Sequence, residues 1–167
     1  VGEKQLTVEL IEQTLGMPRS QVIFDLVQNI GQADVKATLE GADKLNADAY
    51  ASILHSSGTC WNCAVKCKRR VALDDEKYPL SPKWGGPEYE TIAAFGSLIG
   101  NDNLPAVARG NQLCNLYGMD TITMGNLTAF VMECFEKGIL TEKDTGGRKL
   151  EFGDPEALLW LIEEVVH

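Results

Sequence analysis

The sequence predicts an all-α fold. Its apolar residues recur at helical spacing along nearly the whole chain, residues that start and stop helices punctuate it at regular intervals, and no segment sustains the alternation of a strand or carries an Asn-Gly hairpin turn. Positions 7–15 form a short helix closed by Gly16. Ser20 caps a second, in which Val22, Ile23, Leu26, Val27 and Ile30 make one apolar stripe that ends at Gly31. Residues 32–45 are mixed and specify no element. Asn46 caps a helix that runs through Ile53 and Leu54 and delivers the chain to a cysteine-bearing run. A polar loop over 72–87 follows, broken by Pro79, Pro82, Gly85, Gly86 and Pro87, with Trp84 as its candidate anchor.

Further helices complete the chain. One covers 88–99; the next is capped by Asn103, runs to Tyr117 and stops at Gly118; a third is capped by Thr121 and stopped by Gly138. Thr141 and Asp144 predict one short turn. The last helix begins at Asp154 with Pro155 in its first turn, and its Leu158, Leu159, Ile162 and Val166 are expected to pack partly against the domain and partly against nothing or a neighbouring molecule. There is no internal repeat and no low-complexity segment.

Chemistry concentrates in the run Gly58-Thr59-Cys60-Trp61-Asn62-Cys63-Ala64-Val65-Lys66-Cys67. A Cys-x-x-Cys turn brings two sulfurs to one side, and a cysteine four residues later returns to that side if the segment then turns helical. Three soft thiolates suit an iron–sulfur cubane or a structural zinc, and each needs one more donor from elsewhere. The pattern favours iron–sulfur, because zinc sites pair two Cys-x-x-Cys knuckles or add histidines, and His55 and His167 are the only histidines. An odd total of five cysteines and the crowded spacing disfavour a disulfide framework. Cys114 and Cys134 lie inside helical apolar patterns and read as core packing. Lys66, Lys68, Arg69 and Arg70 either lower thiolate pKa values beside the ligands or form a solvated face.

At 167 residues the chain is one domain-sized unit with no apolar stretch of membrane-spanning length. Its net charge of -9 argues against nonspecific binding to nucleic acid or anionic membranes, since phosphate contact needs a local excess of Lys and Arg. Free thiols and the lack of a visible targeting segment fit a cytoplasmic protein. The chain opens at Val1 and stops within an amphipathic pattern that has no glycine stop. The expectation is a single helical domain over 1–167, cut from a larger protein that supplies the missing ligand.

Two further runs join the cysteines: Gly86-Pro87-Glu88-Tyr89-Glu90-Thr91-Ile92-Ala93-Ala94-Phe95-Gly96-Ser97 and Leu113-Cys114-Asn115-Leu116-Tyr117-Gly118-Met119-Asp120-Thr121-Ile122-Thr123-Met124-Gly125. With these three motifs in this order, the sequence resembles the tungsten-containing aldehyde ferredoxin oxidoreductases. The likeness is clearest over about 40–138 and covers the first of two helical domains, which in that family pack against a β-rich pterin-binding domain.

The resemblance implies that Cys60, Cys63 and Cys67 bind a 4Fe-4S cluster whose fourth cysteine lies in an absent C-terminal helical domain. It implies that Asn115 to Asp120 contacts the pterin of a tungsten bis-pterin (tungstopterin). Asn115 stands where the family has its first acid, so that position accepts a hydrogen bond without bringing charge, while Asp120 is retained. Glu90 matches the family's acidic residue near the metal and would serve as a base or water-orienting group, with Glu88 as runner-up. Read from the residues alone, Glu90 and Asp120 are also ordinary helix-start residues, and Asn115 an ordinary one near a helix end. The family's substrate-side histidine has no counterpart here. Arg109 occupies the position aligned with an acid that bridges a metal between subunits in some members.

The implied activity is oxidation of an aldehyde with water to a carboxylic acid, with ferredoxin as electron acceptor. The expected partners are ferredoxin, the aldehyde, the remaining domains of the same enzyme and a possible second copy in a homo-oligomer. Two other classes stay open. One is a reductase or electron-transfer subunit on the same scaffold acting on a non-aldehyde substrate such as an aromatic thioester; the other is a noncatalytic metal-binding helical module.

Overall fold

Capping chemistry decides where most elements begin. The computed structural model describes residues 43–167, which fall within one unit spanning Gly41–His167. The helices expected over 7–15 and 20–30, and most of the mixed stretch after them, lie outside the described residues. Helix α1, Ala47–Ile53, starts where Asn46 Oδ1 accepts the Ala49 N–H at 2.9 Å, as its residue type predicts.

The first departure from the expected all-α fold follows at once. Leu54 leaves the helix with extended backbone, and β1 (Leu54–Gly58) pairs antiparallel with β2 (Lys68–Val71), with a bulge between Leu54 and Ser56. Among the described residues the fold is therefore mostly helical with one two-stranded ribbon. Val71 explains the extended path: it is fully buried in a small core with Ile53, Leu80, Leu104 and Ala108, so β2 alternates from exposed Lys68 and Arg70 to that anchor. A strand with three cations and one apolar residue shows no hydrophobic alternation, which is why the pattern missed it.

Residues 72–87 are a loop, as expected, but a highly bonded one. Leu73 and Leu80 exchange backbone hydrogen bonds of 3.2 and 2.9 Å, Asp75 Oδ1 accepts the N–H groups of Lys77 and Tyr78, and a 3-10 turn forms at Pro82–Trp84. Helix α2, Tyr89–Phe95, is shorter than the helix expected over 88–99. Buried Asn101 takes the Phe95 carbonyl with its side chain at 3.0 Å and the Gly96 carbonyl with its N–H, so the chain breaks at Gly96 and finishes as a 3-10 turn, Ser97–Ile99.

Helix α3, Leu104–Tyr117, is capped by Asn103 and stopped by left-handed Gly118, as predicted. Helix α4, Thr121–Glu136, is capped one residue earlier than expected: Asp120 Oδ2 accepts the Thr123 N–H at 2.7 Å, and Thr121 is already helical. The predicted turn after α4 is present, with Asp144 Oδ2 accepting from both the N–H and the hydroxyl of Thr141. Helix α5, Pro155–Val166, starts at Asp154.

The main core lies between α2, α3, α4 and α5, around Phe95, Val107, Cys114, Met132, Leu158 and Ile162. Leu158 and Ile162 are fully buried, Leu159 half-buried and Val166 exposed, so the α5 stripe faces inward only in part. Cys114 is fully buried and Cys134 half-buried, consistent with packing. Helices α2 and α4 touch closely at Gly125, where an added Cβ would stand 2.6 Å from Ala94 Cβ and 2.8 Å from its carbonyl oxygen.

Candidate functional site

The ribbon presents the cysteines at its tip. Residues 59–67 connect β1 to β2, and Cys60, Cys63 and Cys67 are all exposed free thiols on that connection. The Cys63 N–H donates to the Cys60 carbonyl at 3.1 Å, with Asn62 at φ 55°, a left-handed conformation that Asn adopts at small cost. The Thr59 hydroxyl donates to the Cys63 carbonyl at 2.5 Å, closing the turn. After Cys63 the chain does not turn helical: it bends and enters β2, and the Arg69 guanidinium holds it by donating to the carbonyls of Lys66 and Cys67 at 3.0 and 2.8 Å. No group of three ligating side chains is gathered ready for a metal among the described residues. The donor set nonetheless fits a thiolate-bound metal centre in kind: three accessible sulfurs on one short loop, none in a disulfide.

A second group of candidates meets at one end of α2 and α4. The hydroxyls of Thr91 and Thr121 are 2.8 Å apart, so the first turns of the two helices are joined, and with them Glu90 and Asp120, their immediate neighbours in sequence. Glu90 is exposed in the first turn of α2 and has no hydrogen-bonding or ionic partner among the described residues. Asp120 is committed to capping α4, and the hydrogen bonds from Thr123 hold its carboxyl below the usual range. Its charge also helps push the Cys114 thiol up to about 12, an effect led by burial of that sulfur. Asn115 Nδ2 donates to the Trp84 carbonyl at 2.8 Å, tying the end of α3 to the loop that precedes α2.

Tyr50 lies between the base of the ribbon and the entry to α2. Its hydroxyl donates to the Pro87 carbonyl at 3.0 Å, and burial raises its pKa to about 12, with the Glu88 carboxylate adding to the rise and Arg69 of β2 opposing it. The base of the ribbon and the entry to α2 therefore act on one phenol. Gly86 sits at the same place, where a Cβ would stand 2.5 Å from the Tyr50 hydroxyl and 2.9 Å from a Val71 methyl.

Sequence reasoning missed the residue that fixes this loop. Gln112, 1% exposed on α3, accepts the Ser81 N–H and donates to the carbonyls of Ser81 and Gly85, each at 2.9 Å. Its signal was a long polar side chain at an inward position of an apolar helix, which must find partners when buried. Trp84 is half-buried with Lys83 over its ring at 4.6 Å, so the expected anchor is held through its backbone as much as its indole. A groove of about 520 Å³ lined by Leu73, Asp74, Leu80, Trp84 and Arg109 includes none of the candidate residues.

Comparison with known proteins gives a consistent picture. The family model described as aldehyde ferredoxin oxidoreductase, domains 2 & 3, matches residues 13–167. The chain is 33% identical over 118 residues to the tungsten-containing aldehyde ferredoxin oxidoreductase of Thermococcus kodakarensis, covering 70% of this chain and 19% of that protein. The enzyme of the same description from Pyrococcus furiosus is 28% identical over 158 residues, 90% of this chain and 25% of the relative. A third relative, the aliphatic sulfonate oxidoreductase, WOR-like subunit, of Pyrococcus furiosus, is 30% identical over 106 residues, 64% of this chain and 17% of its own. The chain spans a quarter or less of the length of each of these relatives.

Proposed function

The chain belongs to the aldehyde ferredoxin oxidoreductase family, and on that premise we propose that it is the cluster-carrying helical domain, the first of two, of a tungsten enzyme that oxidises aldehydes. The observation that carries this reading is the ribbon tip, where Cys60, Cys63 and Cys67 stand as three accessible thiols on one short connection. They would hold three corners of a 4Fe-4S cluster, with the fourth ligand from outside this chain. Asp120 and Asn115, at the linked ends of α3 and α4, would contact the pterin. Glu90, joined to the same edge through Thr91 and Thr121, would orient water or take its proton.

The reaction converts an aldehyde and water into a carboxylate, releasing two electrons and protons, and ferredoxin would accept the electrons singly. When bound, tungsten and its pterins supply the two-electron, oxygen-transfer chemistry and the cluster a one-electron exit. The task of this chain is then positional: Gln112, Asn115 and Tyr50 fix the loop between ribbon and α2.

A second reading keeps the scaffold and changes the substrate. The relative named as an aliphatic sulfonate oxidoreductase subunit favours it, because that name records a non-aldehyde substrate on a similar chain. Both readings are tested on the full-length protein by tungsten and iron analysis followed by turnover with aldehydes and with aliphatic sulfonates. Tungsten-loaded protein that oxidises aldehydes supports the first, activity confined to sulfonates supports the second, and one tightly bound zinc without tungsten or iron removes both.

A further inference from the structure

Four cations interleave with or follow the last cysteine, and β2 sorts them. Lys68 and Arg70 alternate to the exposed side and Lys66, just before the strand, is exposed as well, whereas Arg69 shares the parity of buried Val71 and is half-buried. The Arg69 backbone is firmly mounted. It pairs with Ser57 across the ribbon, and a Cβ added at Gly86 would stand 3.4 Å from its carbonyl oxygen. From that mount the side chain turns back toward the cysteines, where Nη1 donates to the Lys66 carbonyl at 3.0 Å and to the Cys67 carbonyl at 2.8 Å. No carboxylate pairs with the guanidinium among the described residues.

These two carbonyls belong to the peptide groups on either side of Cys67, one joining it to Lys66 and the other to Lys68. Peptide groups are planar, so holding both planes restrains the two backbone torsions of Cys67 and with them the direction of its Cβ. Such a restraint matters at this point of the chain, because residues 64–67 belong to no helix or strand that would set those torsions instead. We propose that Arg69 is a positioning residue of the metal centre, aiming the sulfur of Cys67 as third ligand and setting a positive charge beside the cluster. This rests on the cluster reading above. Two N–H groups fixed in the guanidinium plane reach two neighbouring carbonyls as a flexible ammonium does not, and the charge favours the reduced cluster, which carries one more electron. Residues that hold a ligand rather than the metal commonly change metal affinity by about tenfold to a hundredfold when removed.

The test uses the full-length, metal-loaded enzyme and reads the cluster itself: its midpoint potential by titration followed with electron paramagnetic resonance, the line shape of the reduced signal, and the rate at which a chelator removes iron. Arg69→Gln removes the charge and the fork together. It is expected to lower the ratio of reduced to oxidised cluster about tenfold at the parent's midpoint, a fall of about 59 mV for one electron, to alter the line shape and to speed iron release about tenfold. Arg69→Lys keeps the charge, so its ratio should stay within about threefold of the parent's while line shape and iron release follow Arg69→Gln. Arg70→Gln removes an equal charge from the exposed side and should match the parent in all three. If Arg69→Gln takes up no iron, Arg69→Lys decides. Potential and iron release unchanged in Arg69→Gln, or changed as much in Arg70→Gln, overturn the proposal, and so does loss of iron from both Arg69 variants together with a lowered melting temperature, which assigns Arg69 to folding of the ribbon. A parent that shows no 4Fe-4S signal fells the functional reading and the proposal with it; a parent with a normal cluster that is indifferent to Arg69 fells the proposal alone.

Discussion

Cys114 and the three loop cysteines differ in what surrounds the sulfur. Burial pushes the Cys114 thiol up to about 12, where it is inert at neutral pH, while Cys60, Cys63 and Cys67 face solvent on a loop whose turn is set by Asn62 and Thr59. In the full-length enzyme, Cys63→Ser should therefore lower iron and sulfide content together, and Cys114→Ser should leave both intact; chemical iron and sulfide analysis of the purified variants checks this. Glu90 is a sharper case, because its exposure and its lack of side-chain partners among the described residues fit either a helix-start residue or a group waiting for cofactor and substrate. If it orients or deprotonates water, Glu90→Gln should keep metal content and lower turnover by roughly two to four orders of magnitude. A helix-start role predicts near-normal turnover, and metal content measured on the same preparation separates the outcomes. Asp120 carries a structural duty whatever else it does: Asp120→Ala removes the α4 cap and should lower the melting temperature even in protein without metal.

Between α2 and α4 the backbones approach closely. Helices α2 and α4 are locked by Gly125 against Ala94 and by the Thr91–Thr121 hydroxyl pair one helical end away. Gly125→Ala should destabilise the chain by about 2–3 kcal/mol, since the obstructing atoms are Ala94 backbone and Cβ and cannot rotate aside; denaturant melting reads it. Gln112→Leu should cost about 2 kcal/mol by stranding the Ser81 and Gly85 backbone groups, although leucine fills much of the space. These elements also mark what the sequence could reveal. Helices α1, α3 and α5 announced themselves because Asn46, Asn103 and Asp154 cap them as their residue types predict, and Gly118 stops α3. The ribbon stayed hidden because the burial of one residue, Val71, decides its strand geometry, and α2 ran short because Asn101, after the expected helix end, reaches back to the Phe95 carbonyl. The cysteine spacing was legible as chemistry, but the path between Cys63 and Cys67 was not, since a tertiary anchor beyond the motif overrides local helical preference.

At the scale of the molecule, one polar cluster ties the loop before the 3-10 turn to the last helix. The Tyr78 hydroxyl donates to Glu156 Oε1 at 2.6 Å, and Lys77 Nζ lies 3.0 Å from the same oxygen, so residues far apart in sequence are clamped across the α3 side of the core. The bond from Tyr78 is the leading cause that holds the Glu156 carboxyl below its ordinary value of 4.5, with Lys77 contributing. A carboxylate with a depressed folded pKa gives stability that is complete above the unfolded value and is lost as pH falls through the folded one. Lys77 and Tyr78 are both raised, Lys77 by its bonds to Tyr78 and Glu156, so their contribution fades only as pH climbs past their ordinary values. Asp120 and Asp144 are also depressed and steepen the acid limb of any variant that retains them. The test is therefore a difference. Tyr78→Phe should cost about 1 kcal/mol at neutral pH, a single hydrogen bond to a partly exposed carboxylate. Glu156 should then titrate closer to its ordinary value, so the gap in melting temperature between parent and variant should narrow as pH falls below about 4. A gap constant from neutral pH through the acid limb would show that the Tyr78 hydroxyl stabilises the fold without acting on the Glu156 carboxylate.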